Sequence, residues 1–168
     1  MIPTQRRILR NPLVKNSFLR KNKAILLGVI VFFFLLLFDH ASKLWILKNH
    51  QYKPLHILPY FDFVFVQNRG VAFGLFANTP LNFTLISLVS IGLILYLLKK
   101  FLHSPPPILI AMVLAGALGN IWDRILFGYV IDFVKVGSFY VFNVADSSIT
   151  LSAIWILILI LHENRKTV

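Results

Sequence analysis

Four long apolar segments dominate the pattern of hydrophobic and polar positions along this chain. They lie at about residues 24–47, 81–101, 107–126 and 141–161. Each is close to the ~20 apolar residues that a helix needs to cross the hydrocarbon core of a bilayer. The pattern therefore predicts an all-α membrane protein with four transmembrane helices. Because no small-x-small cleavage site follows the first segment, we expect that segment to be retained as a span.

The loop between the first two spans, residues 48–80, has a different pattern. At residues 60–66 aromatic and aliphatic side chains alternate with few polar ones, and prolines bound the stretch. This composition is typical of a short strand, so we expect a small extracytoplasmic β segment at the membrane surface. On the opposite side, the prolines at 105–107 would end any continuous helix between the second and third spans.

Composition and charge support a membrane location. The chain is 58% hydrophobic with only six carboxylates, which is too apolar for a soluble domain of this size. Of the 17 Lys and Arg residues, 11 fall in a basic N-terminal arm at 1–23, in the second loop at 99–100 and in a tail at 163–168. Retained positive charge marks the cytoplasmic side, so both termini are predicted to be cytoplasmic, with a four-helix transmembrane domain at 24–162 between them. A net charge of +11 is explained by this topology, and we expect no nucleic-acid partner.

Several charged residues lie inside the predicted spans, where each costs about 2.5–3.5 kcal/mol on insertion scales. Asp39 and Lys43 are one helical turn apart, and a structural ion pair is the simplest explanation for them. In the third span Asn120, Asp123 and Arg124 share one stripe of the helix. Neutralisation of Asp123 by Arg124 would explain two of these three and would leave Asn120 in excess.

Two further carboxylates lie at the predicted outer rim. Asp132 follows the third span, and Asp146 opens the fourth span. Taken alone, Asp146 could be a helix N-cap. Together with Asn120, Asn143 and Arg124, however, the two carboxylates indicate a functional site at that rim.

Two carboxyl groups near contact share a proton, because they cannot both ionise cheaply. Such a pair can activate water for peptide hydrolysis without a covalent intermediate. The chain has no Cys, which excludes a thiol nucleophile. Ser147 and Ser148 have no neighbouring base in sequence, although His40 and His56 could approach them in space, so a serine mechanism stays open. The five His residues lack HExxH spacing, and we expect no metal or other cofactor.

Two classes without proteolytic activity also fit part of the pattern. A small proton-coupled carrier would use intramembrane Asp, Arg and Asn, but here these residues gather at one rim instead of crossing the midplane. A membrane scaffold would use the ion pairs only to fix helix packing. The scaffold predicts that Asp132→Asn lowers stability, whereas an enzyme predicts a folded, inactive variant.

Four separated sequence motifs help to choose between these classes of protein. They occupy residues 39–43, 68–74, 119–133 and 142–146. In sequence and order they resemble the motifs of the lipoprotein signal peptidase (signal peptidase II) family, the membrane aspartic proteases of bacteria. The resemblance covers nearly the whole chain after the basic arm.

The resemblance implies that Asp132 and Asp146 are the catalytic pair. It assigns substrate binding to Asn68, Gly70, Asn120, Arg124 and Asn143. It assigns structural support of the site to Asp39, Lys43 and Asp123. It further implies a prolipoprotein substrate, cut on the N-terminal side of its diacylglyceryl-modified Cys, with membrane lipids around the enzyme. We expect a monomer in the bacterial inner membrane, with its active site near the outer leaflet.

Overall fold

The computed structural model describes residues 12–69, 91–92, 95–96, 99–100, 105–138 and 140–165. In these ranges the elements follow in the order α1 (Pro12–Asn49), β1 (Leu55–Leu58), β2 (Phe61–Asn68), α2 (Pro107–Phe127), β3 (Val130–Val136) and α3 (Val144–Asn164).

Three helices of the described part of the chain are long and apolar enough to cross a membrane. They correspond to the first, third and fourth predicted spans. The second predicted span, residues 81–101, lies mostly outside the described residues, and its described positions 91–92, 95–96 and 99–100 are helical. The predicted count of four is therefore not confirmed. Residues 1–11, Gly70 and residues 166–168 also lie outside the described residues.

Helix α1 is longer than the apolar pattern predicted. The prediction placed its start at residue 24, but the helix begins at Pro12 and has 38 residues, about 57 Å at 1.5 Å per residue. That is nearly twice the ~30 Å hydrocarbon core. The basic residues Arg20, Lys21 and Lys23 therefore continue the same helix beyond its apolar section.

Helix α2 is the inner helix of the described bundle. Half of the residues in its most apolar stretch are buried inside the protein, compared with 11% for α1 and 22% for α3. Small residues allow this packing, since a Cβ atom at Gly116 would lie 2.5 Å from the carbonyl oxygen of Ala145. Leu109, Val113 and Ile156 form the apolar core of the contact between α2 and α3.

The three strands form one antiparallel sheet in the order β1-β2-β3. Strands β1 and β2 confirm the β segment predicted between the first two spans. Strand β3 was not predicted, although its β-branched residues Val130, Ile131, Val134 and Val136 favour a strand. Helix α2 ends at Phe127. The next residue, Gly128, has a left-handed φ of 74° and its N–H donates to the carbonyl of Arg124, so the chain turns directly into β3.

The sheet packs against the end of α1 through aromatic side chains. The ring of Phe63 on β2 lies 6.3 Å from that of Trp45 on α1 and 5.9 Å from that of Phe133 on β3, both edge to face. The register of β2 and β3 places Val66 opposite Asp132 and Asn68 opposite Val130, after an irregularity that follows Phe63. The sheet thus carries both Asn68 and Asp132 to the end of the helical bundle.

Candidate active site

A buried lysine connects two of the helices. Lys43 and Asp39 on α1 are 1% and 2% exposed, and Lys43 Nζ lies 2.7 Å from Asp39 Oδ2. This confirms the ion pair expected from their i,i+4 spacing. The same Nζ lies 2.9 Å from Asp123 Oδ2 on α2 and donates to Asn120 Oδ1 at 3.1 Å. One ammonium therefore lies within 3.1 Å of three side-chain oxygens from two helices.

The alternative in which Arg124 neutralises Asp123 is not what the structure shows. Adjacent residues on a helix do not face each other, and Asp123 points inward to Lys43. Arg124 is only partly buried, and its Nη1 donates to the carbonyl of Asn120 at 3.2 Å. The buried charge of Asp123 is therefore balanced by Lys43 on α1.

The two carboxylates paired with Lys43 also bind backbone. Asp39 Oδ1 accepts the N–H of Ala145 in the first turn of α3 at 2.8 Å. Asp123 Oδ2 accepts the N–H of Ile131 in β3 at 3.0 Å. The ion cluster therefore fixes the start of α3 and the position of β3, the two elements that carry the acids predicted to be catalytic.

The N-terminus of α3 has a reciprocal cap. Asn143 Oδ1 accepts the N–H of Asp146 at 2.9 Å, and Asp146 Oδ2 accepts the N–H of Asn143 at 3.2 Å. This is the geometry of a capping box, in which Asn143 is the N-cap residue and Asp146 is the third residue of the helix. The N-cap suggested for Asp146 from sequence therefore belongs to Asn143, and the second oxygen of Asp146 is directed elsewhere.

Asp132 is deeply buried on β3, with 2% of its surface exposed. Its Oδ2 accepts from Asn68 Nδ2 on β2, and its Oδ1 accepts from Asn143 Nδ2, both at 2.8 Å. Burial, and next the nearby charge of Asp146, raise the pKa of Asp132 to about 7, although the Asn68 and Asn143 hydrogen bonds and Lys43 oppose the shift. At neutral pH this carboxyl group can therefore hold a proton.

Two asparagines connect the carboxyl groups of Asp132 and Asp146. Asn120 Nδ2 donates to Asp146 Oδ1 at 2.7 Å. Asn143 Nδ2, which donates to Asp132, also lies 3.1 Å from Asn120 Oδ1. The structure thus brings together on one network nearly every residue expected at the site; Gly70 lies outside the described residues.

The serines considered as nucleophiles are engaged with backbone. Ser147 Oγ donates to the carbonyl of Asn143 at 3.0 Å, and Ser148 Oγ donates to that of Met112 at 2.8 Å. His56 Nδ1 lies 2.6 Å from Asp62 Oδ1 in the β1–β2 hairpin. These contacts do not form a serine–histidine pair. In the described ranges, no group of three His, Asp or Glu side chains is placed to hold a metal ion.

Sequence and fold comparisons cover this region. Residues 31–162 match the family described as Signal peptidase (SPase) II. The chain is 38% identical to proteins named lipoprotein signal peptidase from Burkholderia mallei (strain SAVP1) and Burkholderia pseudomallei (strain 668), over 141 residues that are 78% of this chain and 83% of each relative.

Two solved structures of bacterial membrane enzymes, obtained by the in meso method, have similar folds. One, at 2.3 Å resolution, has a TM-score of 0.69 and 28% identity over 82% of this chain and 88% of its own. The other, at 1.9 Å, has a TM-score of 0.66 and 29% identity over 80% of this chain and 92% of its own. The whole carboxylate and asparagine network, from Asp39 to Asp146, lies inside the matched family region.

Proposed function

Because the chain belongs to the signal peptidase II family of membrane proteases, we propose that it removes signal peptides from prolipoproteins by aspartic catalysis. The proposed substrate is a prolipoprotein whose Cys already carries diacylglyceryl, and the cut lies on the N-terminal side of that Cys. Asp132 and Asp146 form the catalytic pair. Arg124, Asn68 and the segment around Gly70 contact the substrate.

The observation that carries this proposal is the linkage of two carboxyl groups through Asn143. Its backbone N–H donates to Asp146 and its side-chain amide donates to Asp132. Burial and the charge of Asp146 raise the pKa of Asp132 to about 7, so the pair can hold one proton at neutral pH. A pair with one proton contains both the base that activates water and the acid that protonates the carbonyl oxygen.

The charge pattern supports a site near the outer leaflet. Lys23 is the last basic residue of the N-terminal cluster, and Asp39 follows it by 16 residues in the same helix. At 1.5 Å per residue these positions are about 24 Å apart along α1, most of the ~30 Å thickness of a hydrocarbon core. With Lys23 at the cytoplasmic surface, the carboxylate network lies near the opposite surface, and both termini are cytoplasmic.

That depth fits a lipid-modified substrate. Acyl chains on the substrate Cys insert among the lipid chains and hold the adjacent peptide bond at the interface, and each buried CH₂ contributes about 0.8 kcal/mol. Substrate recognition therefore combines lipid anchoring with contacts from the rim of the site. The proposed enzyme works as a monomer, because one chain supplies both acids and every asparagine of the network.

The substrate can be tested with two peptides of identical lipobox sequence in detergent or bicelles. One carries diacylglyceryl on the Cys and the other has a free thiol. We expect cleavage of the lipid-modified peptide, with mass spectrometry placing the new N-terminus at the modified Cys. Equal cleavage of both peptides, or a cut at another bond, would contradict the proposed specificity.

A further inference from the structure

Asn120 lies between a cation and a carboxylate. Its Oδ1 accepts from Lys43 Nζ at 3.1 Å, and its Nδ2 donates to Asp146 Oδ1 at 2.7 Å. An ammonium group can only donate and an ionised carboxylate can only accept. A single orientation of the amide satisfies both neighbours. Lys43 therefore determines that the donor end of Asn120 faces Asp146.

Lys43 is itself held in one position. An ammonium group has three N–H donors, and three oxygens, from Asp39, Asp123 and Asn120, lie within 3.1 Å of Nζ. The lysine is also 1% exposed, so solvent does not compete for these contacts. Asn120 therefore cannot turn its oxygen away from Lys43 without leaving a buried, charged donor unsatisfied, which is unfavourable.

The donors around Asp146 favour its ionised form. It accepts from the Asn120 amide and from the backbone N–H of Asn143, and it lies in the first turn of α3, where the helix dipole favours negative charge. Among the charged groups of the other described elements, Lys43 on α1 and Arg124 on α2 attract the Asp146 carboxylate and Asp132 on β3 repels it. Asp39 and Asp123 pair with Lys43.

The donors around Asp132 are weaker. Asn143 Nδ2 divides its hydrogens among Asp132 Oδ1, Asn120 Oδ1 at 3.1 Å and the carbonyl of Ile131 at 3.3 Å. The other donor is the side-chain amide of Asn68, and Asp132 lies on a strand, so no helix dipole favours its negative charge. A buried carboxyl group with these partners has little to favour its ionised form, in agreement with a pKa of about 7.

From this asymmetry we infer that Lys43, acting through Asn120, is a positioning residue that makes Asp146 the ionised base of the pair and leaves the shared proton on Asp132. The inference rests on the proposed function and deepens it by assigning the two chemical roles. It also changes the expected role of Asn120, because both ends of its amide are engaged inside the protein and neither is left to bind substrate.

The resulting reaction balances. The Asp146 carboxylate takes a proton from water as the water oxygen bonds to the scissile carbonyl carbon, and Asp132 gives its proton to the carbonyl oxygen. The proton on Asp146 then passes to the amide nitrogen, the C–N bond breaks, and Asp132 recovers a proton from a hydroxyl of the diol. Water and a peptide bond become a carboxylic acid and an amine, and the pair again holds one proton.

The test compares two matched variants, Asn120→Asp and Asn68→Asp, by the pH dependence of kcat/KM on the lipid-modified peptide. Each replaces an amide donor by a second carboxylate, one facing Asp146 and the other facing Asp132. A neighbouring like charge shifts a carboxyl titration by about one pH unit or more. For Asn120→Asp we expect the acid limb to move to higher pH by at least that amount, because Asp146 becomes harder to ionise.

For Asn68→Asp we expect the alkaline limb to move to higher pH, because Asp132 keeps its proton longer. The inference would be overturned if Asn120→Asp moved the alkaline limb of the pH profile and Asn68→Asp the acid limb, or if both limbs moved equally in the two variants. Should either variant fail to fold by thermal unfolding, Asn120→Ala and Asn68→Ala make the same comparison with smaller shifts of the same sign. A wild-type protein without cleavage would overturn the proposed function, and the inference with it, whereas active wild type with reversed limbs overturns the inference alone.

Discussion

Replacing Lys43 with methionine tests how far the buried ion cluster stabilises the fold. Methionine has a similar length and fills much of the same space, so the main loss is the charge. The change leaves Asp39 and Asp123, which are 2% and 1% exposed, without their cation. Breaking a buried ion pair by removing one partner costs about 3–5 kcal/mol.

That loss predicts a large change in thermal unfolding. For a chain of this size each kcal/mol shifts Tm by about 2–4 °C, so we expect Lys43→Met to lower Tm by roughly 6–20 °C. The assay is tryptophan fluorescence during thermal unfolding in one detergent. Lys21→Met is the matched control, because Lys21 is an exposed lysine of the same helix and its replacement should shift Tm by about 2 °C or less.

Two further results would follow from the same reasoning. Protonation of Asp39 and Asp123 removes their unpaired charge, so the difference in Tm between Lys43→Met and wild type should become smaller as pH falls. The triple variant that adds Asp39→Asn and Asp123→Asn removes that charge, and it should recover much of the lost stability. A Lys43→Met protein with the Tm of the Lys21→Met control would refute the reasoning, because the lysine would then balance no buried charge.

The remaining predictions concern packing, capping and pH. A Cβ atom on Gly119 would lie 2.7 Å from Asp39 Oδ2, so Gly119→Ala should lower stability by about 1–3 kcal/mol. The control is Gly92→Ala, whose added Cβ atom meets nothing within 4 Å and should not lower stability in this way. Equal Tm values for the two variants would contradict this prediction. Asn143→Ala removes the cap of α3 and a donor to Asp132, so we expect a stability loss of about 1–2 kcal/mol with cleavage strongly reduced, and retained activity would count against the linkage. The pKa of Asp132 is raised from 3.8 to about 7, so between these values the native state holds a proton that the unfolded chain loses. The contribution of Asp132 to stability therefore falls as pH rises from about 4 to 7. Cleavage should fall above about pH 7, because Asp132 then loses its proton. Unfolding scans and rates across pH check both, and an alkaline limb absent up to pH 9 would contradict the second.

The three described membrane helices could be predicted because the hydropathy of a segment depends only on its own residues. Each of α1, α2 and α3 has a continuous apolar run, and this run is a property of the sequence itself. Helix α1 begins 12 residues before the predicted span, because a helix can continue into a polar section that an apolar pattern does not detect. Strand β3 was not predicted, since it is short and directly follows a span, although its four β-branched residues were a usable signal.

The contacts of the site were predictable only where they are close in sequence. The Asp39–Lys43 pair follows from helix periodicity, and the sequence indicated that the acids gather at one rim. The pairing of Lys43 with Asp123 joins residues from two helices, and the Asn68–Asp132 contact depends on the register of β2 and β3. Such contacts are set by packing and strand pairing, which a single sequence does not specify.

The most direct test of the account is cleavage of a diacylglyceryl-modified lipobox peptide by purified wild type, Asp132→Asn and Asp146→Asn proteins. Each variant is first shown to be folded by its thermal unfolding transition. We predict release of the signal segment by the wild type alone, because either substitution removes one of the two carboxyl groups that share the proton. Cleavage at the wild-type rate by either folded variant would contradict the two-aspartate mechanism.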